Sequence, residues 1–404
     1  MKIVYLHQYF NTPNMSGSTR SFEMARRLVA AGHEVQMITA DRGQVPNGSS
    51  GRKTIEAGIN VNWINIPYSN HMTNGQRLKA FAKYAARATS QACGMQPDIV
   101  FATSTPLTIA LPGVISSKRR QVPLVFEVRD LWPALPIAVG ALRNPVVIRA
   151  ARMLEKFAYK NSNHIVALSP GMKQGIVDSG FPEARVTVIP NSCDVDLFDI
   201  DWREGVSWRA KQEWLGASPL VVYIGTIGRI NGVEYLAKLA ASTARLDSDV
   251  KFLVVGSGAE EDKVRSQASE LGVLNRNFFM LPPVPKNEVP KILSAATIST
   301  SLFTDVKEME ANSANKFFDS MAAGKPIAIN YGGWHAEMLD KKNGLYLDRD
   351  VEIASVKLVA AIRSADWLEN AGEWSKSHRN DFSRDRLASQ FEQVLLTAAE
   401  YKKN

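Results

Sequence analysis

The sequence predicts two α/β domains, each built around a doubly wound parallel sheet with helices on both faces. The chain has 404 residues, more than one hydrophobic core usually organises. Apolar runs of strand length alternate with helix-length segments almost throughout, which is typical of βαβ units. The two halves also begin alike, each with a strand, a glycine-containing loop and a helix. We therefore expect two Rossmann-like domains that face each other across a cleft.

The first predicted domain covers residues 1–200 and the second covers residues 201–383. Strands are predicted in the first at 3–6, 34–39, 60–66, 98–103, 123–128, 164–169 and 185–190. Strands are predicted in the second at 220–227, 251–256, 278–281, 297–303, 326–330 and 344–348. The segment Phe198 to Ser218 has no strand pattern and is interpreted as the interdomain connection. A long charged helix at about 384–401 is expected to pack back on the first domain.

The composition is that of a soluble globular protein, with 45% hydrophobic and 22% charged residues. Cys93 and Cys193 lie far apart and form neither a disulfide framework nor a metal-ligand spacing, which fits a reducing compartment. The N-terminus does not resemble a secretion signal, and no apolar run is long enough to span a membrane. These features predict a cytoplasmic protein.

The net charge of +8 indicates an anionic partner. Two predicted helices, 77–92 and 142–160, carry cations four residues apart beside apolar residues, as in helices that lie on anionic bilayers. The cations are Lys79, Lys83 and Arg87 in the first helix and Arg152, Lys156 and Lys160 in the second. We expect peripheral binding to the inner face of a membrane, with ordinary sheet-covering helices as the alternative. Nucleic acid is not expected, because stacking aromatics on strands are missing from the basic stripes.

Glycine-containing loops follow the first strand of each predicted domain. Ser16-Gly17 precedes a predicted helix over 21–31, and a second loop and helix follow strand 220–227. Such loops let backbone amides approach a phosphate, although a plain tight turn is the alternative. The candidate ligand-binding residues of the second domain are Gly225, Thr226, Gly228 and Arg229, with Gly256 and Gly258 after the next strand.

Residues 311–327 predict a helix with a small polar N-terminus and a stop at Gly324-Lys325-Pro326. Asn312 and Ser313 are candidates for capping the helix, and the same free amides could instead hold an anion. The candidate substrate-binding residues here are Asn312, Ser313, Ala314 and Asn315. Lys316 lies where the helix dipole disfavours a cation, so an external anion is expected nearby. Asp319 shares its face and suits the two hydroxyls of a ribose, while Arg229 and Lys316 suit a diphosphate. The alternatives are a surface Lys316–Asp319 pair and a solvated Arg229.

Charges also collect at the end of the predicted strand 123–128. Glu127, Arg129 and Asp130 precede Trp132-Pro133, which ends regular structure. Asp130 is the candidate for contact with a reacting sugar or acceptor hydroxyl, and Glu127 for an orienting or proton-accepting role. The alternative is that Arg129 forms an ion pair that holds a loop. His7 faces the same edge or is a core residue.

No metal or other cofactor is expected. The sequence has no Asp-x-Asp pair at a credible strand end and no cluster of histidines or cysteines.

The chain resembles the family 4 glycosyltransferases of the two-Rossmann GT-B fold over nearly its full length. The motifs that carry the resemblance are Ser16-Gly17 before Gly32-His33-Glu34-Val35, Pro190-Asn191-Ser192-Cys193-Asp194 with Phe198, and Asp319-Ser-Met-Ala-Ala-Gly-Lys-Pro326. The last motif implies that Asp319 is the ribose-binding carboxylate. Family membership also implies retention of the anomeric configuration.

The chain departs from the family pattern at several positions. The first Glu of the family's Glu-x7-Glu falls on Ala311, beside Glu310, and its phosphate-binding Arg and Lys fall on Thr226 and Asn231. Lys316 and Arg229 are positioned to replace those cations. The family's His-Asp pair aligns with Arg129-Asp130.

This altered set resembles the L-fucosamine transferases of O-antigen and lipopolysaccharide assembly. The resemblance implies a UDP-linked N-acetylated deoxyamino sugar as donor and a polyprenyl-diphosphate-linked sugar as acceptor. The expected reaction is metal-independent, with the catalytic set Asp130, Glu127, Arg229 and Lys316. A UDP-sugar 2-epimerase of the same architecture and a membrane-surface protein that only binds nucleotide sugars are the alternatives.

Overall fold

The computed structural model describes residues 1–15, 17–42, 51–68 and 72–400. They form two compact units. Unit 1 comprises Met1–Pro190 together with the segment that begins at Arg384, and unit 2 comprises Asn191–Ser383.

Unit 1 contains an eight-stranded sheet. Its strands are β1 (Lys2–Leu6), β2 (Glu34–Asp41), β3 (Gly51–Glu56), β4 (Ile59–Asn65), β5 (Ile99–Thr103), β6 (Leu124–Val128), β7 (His164–Ala167) and β8 (Val186–Val188). The strand order is β3-β4-β2-β1-β5-β6-β7-β8, and β3 alone among these strands runs antiparallel to its neighbour. The central strands β5 and β6 are buried along their whole length, as expected for a parallel sheet covered on both faces.

The helices of unit 1 are α1 (Arg20–Ala30), α2 (Asn74–Gly94), α3 (Ala110–Arg120), α4 (Ala134–Ala138), α5 (Pro145–Lys160), α6 (Pro170–Asp178) and α16 (Arg384–Glu400). Helix α16 inserts Leu387, Phe391 and Leu395 into the core that β1 and β5 also line. Phe391 meets Phe101 of β5 edge to face, with 4.7 Å between the ring centres. Burial of these apolar side chains explains why the C-terminal helix belongs to unit 1.

Unit 2 contains a six-stranded parallel sheet in the order β11-β10-β9-β12-β13-β14. Its strands are β9 (Leu220–Ile224), β10 (Lys251–Val255), β11 (Phe278–Leu281), β12 (Ile298–Ser301), β13 (Ile327–Ile329) and β14 (Leu345–Tyr346). Its helices are α7 (Val195–Phe198), α8 (Trp202–Ala210), α9 (Glu234–Leu246), α10 (Glu261–Glu270), α11 (Val289–Ala295), α12 (Asn315–Ala322), α13 (Trp334–Asn343), α14 (Val351–Arg363) and α15 (Ala365–His378). Because the strands are parallel, the loops after β9 and β10 lie at the same edge of the sheet.

The structure differs from the sequence prediction at two places. The hairpin strand β3 was not predicted; it precedes Ala57 and Gly58, whose φ angles of 49° and 82° form the tight turn into β4. The expected connection between domains, Phe198 to Ser218, belongs to unit 2 and contains helix α8, and unit 1 ends at Pro190 rather than at residue 200.

Candidate active site

Two glycine loops lie against each other at the carboxyl ends of β9 and β10. A Cβ atom on Gly256 would lie 1.9 Å from the carbonyl oxygen of Gly225, and one on Gly258 would lie 2.3 Å from that of Ile227. Both glycines are therefore required by close backbone approach rather than by a turn alone. The ligand-binding role of these glycines stays a prediction.

Hydrogen bonds hold the two loops together. The amide of Gly225 donates to the Val255 carbonyl at 2.9 Å, and the amide of Ile227 donates to the Ser257 carbonyl at 2.9 Å. The hydroxyl of Tyr223 donates to the carbonyl of Thr226 at 2.7 Å, while Thr226 itself is exposed. The loop after β9 thus exposes Thr226 to solvent, while these hydrogen bonds fix the backbone of the loop.

Lys316, on the first turn of α12, lies beside this loop. A Cβ atom on Gly225 would lie 2.5 Å from Lys316 Cε, and Lys316 Nζ lies 5.1 Å from the ring centre of Tyr223. Within the described ranges, the ammonium has no carboxylate within 4 Å and no hydrogen bond. Burial lowers the pKa of Lys316 to about 8, and the charge of Asp319 opposes that shift.

The start of α12 is built differently from the capped helix that the sequence predicted. The residue before the helix is Ala314, and no side chain caps the first turn. Ser313 instead accepts a hydrogen bond at its Oγ from the Asn191 amide at 2.9 Å, and its carbonyl accepts one from Asn191 Nδ2 at 2.6 Å. The carbonyl of Asn312 accepts from Trp334 Nε1 at 2.8 Å. The capping role expected of Asn312 and Ser313 is therefore wrong, and the first amides of α12 have no side-chain cap.

Asp319 and Asn315 are half-buried on α12 near Lys316. Phe317 and Phe318 are fully buried and fix the helix, and Phe317 stacks on His335 with 4.2 Å between the ring centres. This packing leaves the opposite side of α12 for the polar residues.

Arg229 lies in a short 3-10 turn, Arg229–Asn231, that follows Gly228. Its side chain is exposed and has no ion pair or hydrogen bond within the part of the chain that the structure describes. The Arg229 side chain is a long, flexible cation. Its predicted binding to a diphosphate stays a prediction, with a solvated surface charge as the alternative.

In unit 1, Glu127 is buried and fully engaged. Its Oε1 accepts from Arg20 Nε at 3.1 Å and from an Arg20 terminal nitrogen at 2.9 Å, and its Oε2 accepts from Thr103 Oγ1 at 2.5 Å. Arg20 also donates to the carbonyls of Ile189 and Pro190 at 2.8 and 2.5 Å. The proposed proton-accepting role of Glu127 is therefore corrected: its carboxylate is only 2% exposed and neutralises a buried arginine.

Arg129 and Asp130 lie at the sheet edge that the sequence indicated. Arg129 contacts His7 Nε2 at 3.3 Å and donates to Ser18 Oγ at 3.2 Å. Asp130 accepts from Thr105 Oγ1 at 3.1 Å, and burial raises the pKa of its carboxyl despite the nearby Arg129. The Arg129 guanidinium thus contacts two neutral side chains, His7 and Ser18, and forms no ion pair with a carboxylate in the part of the chain that the structure describes.

His7 is buried, and its pKa lies well below the usual value because burial and the charges of Arg129 and Arg42 disfavour the imidazolium. Among the described residues, its Nδ1 has no hydrogen-bond partner, and neither the amide nitrogen nor the amide oxygen of the adjacent Gln8 side chain has one. Buried polar atoms without partners are rare in proteins and often mark a site for a ligand or water. The structure therefore places His7 in a polar group and not in an apolar core.

Gly17 approaches Asn11 closely, since a Cβ atom there would lie 2.6 Å from Asn11 Nδ2. The same Nδ2 donates to the carbonyls of Tyr9 and Ser18. Ser16, also predicted to bind substrate, lies outside the described residues.

Sequence reasoning did not single out five residues that lie beside or contact the predicted site residues of unit 1: Gln8, Asn11, Ser18, Arg20 and Thr105. Ser18 follows the predicted Ser16-Gly17 pair directly, so the loop itself was a usable signal. Thr105 and Arg20 reach their partners from 25 and 107 residues away, and no local pattern marks them.

The two basic helices differ in how many cations they expose. On α2, Lys79 and Lys83 are exposed, whereas Arg87 donates to the Asn65 carbonyl at 3.1 Å. On α5, all three predicted cations are exposed, and Met153 beside them is 64% exposed. The described part of the chain contains no helix long and apolar enough to cross a membrane.

Within the same described ranges, no three His, Cys, Asp or Glu side chains are grouped so that they could hold a metal ion.

Two protein-family profiles match the chain. The Glycosyl transferase 4-like domain matches residues 17–192, and Glycosyl transferases group 1 matches residues 207–380. A sequence search among curated proteins found no match.

Solved structures share the fold over nearly the whole chain at low sequence identity. HepE of Anabaena, in complex with UDP and glucose, has a TM-score of 0.73 and 17% identity, covering 98% of this chain and 100% of its own. Sucrose-phosphate synthase of Thermosynechococcus elongatus has a TM-score of 0.76 and 16% identity, with coverages of 97% and 98%. WaaG, a glycosyltransferase involved in lipopolysaccharide biosynthesis, has a TM-score of 0.72 and 16% identity, with coverages of 97% and 99%.

The two family matches together span most of both units, and the two parallel-sheet α/β units agree with the fold of these neighbours. This chain belongs to the glycosyltransferases of the GT-B fold.

Proposed function

We propose that the chain transfers an N-acetylated deoxyamino sugar, such as L-FucNAc, from a UDP-sugar to a polyprenyl-diphosphate-linked sugar acceptor. The observation that carries the donor half is the placement of Lys316: an unpaired, half-buried ammonium beside the glycine loops at the carboxyl ends of β9 and β10. A cation held there without a protein counter-ion suits the diphosphate of a nucleotide sugar.

The donor is proposed to bind along α12 and the loop after β9. Lys316 and the uncapped first amides of α12 would bind the diphosphate, with Arg229 reaching it from the 3-10 turn. Asp319, one helical turn from Lys316, would accept the ribose hydroxyls. HepE was solved with UDP and glucose, which supports a UDP-linked donor for a chain of the same fold.

The reaction would break the bond between the anomeric carbon and the diphosphate oxygen and join that carbon to the acceptor oxygen. Negative charge develops on the departing diphosphate, where Lys316 and Arg229 would stabilise it. Asp130 is the proposed acceptor of the hydroxyl proton, and its raised pKa makes the carboxylate a stronger base than an exposed aspartate. Family resemblance supports retention of configuration at the anomeric carbon.

The donor sugar and acceptor are proposed from the altered motif and from charge. Ala311–Asn315 replaces the segment that in the family contacts the donor sugar, so it is the proposed source of a different donor preference. The exposed cations of α2 and α5 support an acceptor on an anionic membrane surface at the cytoplasmic side. The lipopolysaccharide role stated for WaaG fits such an acceptor.

One substitution tests the donor site. Asp319→Ala should raise the KM for the UDP-sugar at least tenfold or abolish transfer, because a charge-assisted bond to ribose contributes about 1.5–3 kcal/mol. Asp262→Ala is the matched control, since Asp262 is an exposed carboxylate on α10. Unchanged donor kinetics for Asp319→Ala would remove Asp319 from the site.

A panel of UDP-N-acetylamino sugars, each with and without polyprenyl-diphosphate N-acetylglucosamine, tests the reaction itself. Release of UDP, followed by mass spectrometry, should require both substrates. Turnover should be equal in EDTA and in added Mg²⁺, because cationic side chains take the place of a metal in this scheme. Conversion of the donor without acceptor would indicate a 2-epimerase, and UDP binding without either reaction would indicate a binding protein.

A further inference from the structure

Unit 1 contains a cavity of 340 Å³ between α4 and α5. It is lined by Pro133, Ala134 and Ile137 on one side and by Arg149, Arg152, Met153, Glu155 and Lys156 on the other. Its size lies at the lower end of the range for small-molecule sites in proteins.

The cavity has one apolar wall and one cationic wall. Pro133, Ala134 and Ile137 contribute only carbon at their side chains, and Met153 faces them from α5. Outside the cavity, α5 also exposes Val146 to 74%, at a position that shares the helix face of Met153. Val146 and Met153 flank Arg149 on this face, so exposed apolar and cationic side chains alternate along α5.

The cations of the other wall are not neutralised by the protein. Arg149, Arg152 and Lys156 are exposed, and in the described ranges none has a carboxylate within 4 Å or a hydrogen bond. Glu155 is the acidic residue of the wall; its Oε1 accepts from Tyr159 at 3.3 Å. Three cations against one carboxylate leave a net positive charge at the rim of an apolar cavity.

We propose that this cavity binds the phosphate-bearing end of an anionic polyisoprenoid, with the first isoprene units on the apolar wall and the diphosphate on Arg149, Arg152 and Lys156. The inference rests on the proposed function for the identity of the lipid, because the acceptor proposed there is carried on such a chain. It adds the place on the protein that holds the carrier.

Charge and shape together favour this occupant. A free phosphate would bind the cations but leave the apolar wall exposed to water. An uncharged lipid would cover the apolar wall but leave the three cations without an anionic partner. A molecule with a diphosphate directly attached to branched hydrocarbon satisfies both walls at once.

Binding of farnesyl diphosphate, used below its micellar concentration, tests the proposal by calorimetry. Inorganic pyrophosphate and farnesol serve as half-ligands. We expect farnesyl diphosphate to bind at least tenfold more tightly than either, because each half-ligand lacks one of the two contacts.

Variants test the cationic wall and the apolar wall separately. The double variant R152Q/K156Q should weaken farnesyl diphosphate binding about tenfold, whereas E155Q should strengthen it about twofold by removing the opposing charge. M153Q should reduce the advantage of farnesyl diphosphate over pyrophosphate. The matched control K118Q/R119Q removes two exposed cations of α3, outside the cavity, and should leave binding unchanged.

UDP binding, measured on the same variants, should be unaffected and reports that they are folded. If the parent protein and its variants bind farnesyl diphosphate as expected but the parent transfers no sugar, the result would count against the proposed function and leave this inference standing. Equal weakening by R152Q/K156Q and K118Q/R119Q would overturn the inference. So would binding of inorganic pyrophosphate as tight as that of farnesyl diphosphate, because the apolar wall would then contribute nothing to binding.

Discussion

Gly225 and Lys316 pack so closely that a methyl group added at Gly225 would displace the end of the Lys316 side chain. A Cβ atom on Gly225 would lie 2.5 Å from Cε and 3.2 Å from Nζ of Lys316. The backbone of Gly225 also has a φ of +148°, which side-chain-bearing residues rarely adopt. The glycine therefore determines where the unpaired ammonium lies.

Gly225→Ala should displace Lys316 and lower the kcat/KM for the UDP-sugar by tenfold or more. The loss of one charge-assisted contact to a diphosphate, about 1.5–3 kcal/mol, corresponds to that factor. Steady-state kinetics with varied donor measure it. Gly75→Ala is the control, because a Cβ atom there meets no atom within 4 Å. If both variants behave like the parent, the position of Lys316 has no bearing on donor use.

The pKa of Lys316, lowered to about 8, predicts a pH dependence of donor use. The ammonium is present below pH 8 and is lost as the pH rises, so the kcat/KM for the donor should fall above pH 8, approaching tenfold per pH unit. Lys316→Arg should remove this alkaline decline, because the guanidinium stays protonated. A decline that persists in Lys316→Arg would assign the titration to another group.

Sequence reasoning located features that a short pattern marks and missed those that depend on distant residues. It placed Gly225 and Gly256 after strands and Lys316 at a helix start because such ends are visible as short patterns, and parallel pairing brings the ends of β9 and β10 to one edge. Strand β3 was missed because its turn, Ala57-Gly58, lacks the usual Asn-Gly or Asp-Gly signature. The residues that contact a charged side chain at the end of a strand were also not predictable from the sequence.

Glu127 shows that last point. Nothing near it in sequence indicates that Arg20, 107 residues earlier, donates to its Oε1 while Thr103 donates to its Oε2. Ser313 is a similar case, since its hydroxyl serves Asn191 and not the helix that follows it. Hydrogen bonds and ion pairs between residues that are distant in sequence depend on the completed fold, and no periodic sequence pattern predicts them.

Replacing Glu127 by Gln should mainly reduce stability. The change leaves the Arg20 guanidinium buried without its counter-charge, which costs about 3–5 kcal/mol. Urea unfolding measures the loss. Glu183→Gln breaks the exposed Lys173–Glu183 pair and should cost less than about 1 kcal/mol. A Glu127→Gln protein of parental stability that has lost turnover would return Glu127 to the catalytic group.

His335 should make unit 2 sensitive to acid. Its side chain is fully buried and its Nδ1 lies 3.1 Å from the Tyr331 hydroxyl, while its Nε2 has no hydrogen-bond partner among the residues that the structure describes. Burial lowers its pKa from 6.5 to about 3. Between those values the unfolded chain takes up a proton that the folded chain does not, so stability falls as the pH drops below 6.5.

The contribution of His335 can be isolated with His335→Phe, which keeps an aromatic ring against Phe317. Each pH unit below 6.5 costs the parent about 1.4 kcal/mol through this residue, so between pH 7 and pH 5 it should lose about 2 kcal/mol more than the variant. Urea unfolding at the two pH values gives the difference, because all other titrating groups are common to both proteins. Parallel losses would mean that His335 gains its proton without unfolding, as it would if water reached Nε2 in the folded state.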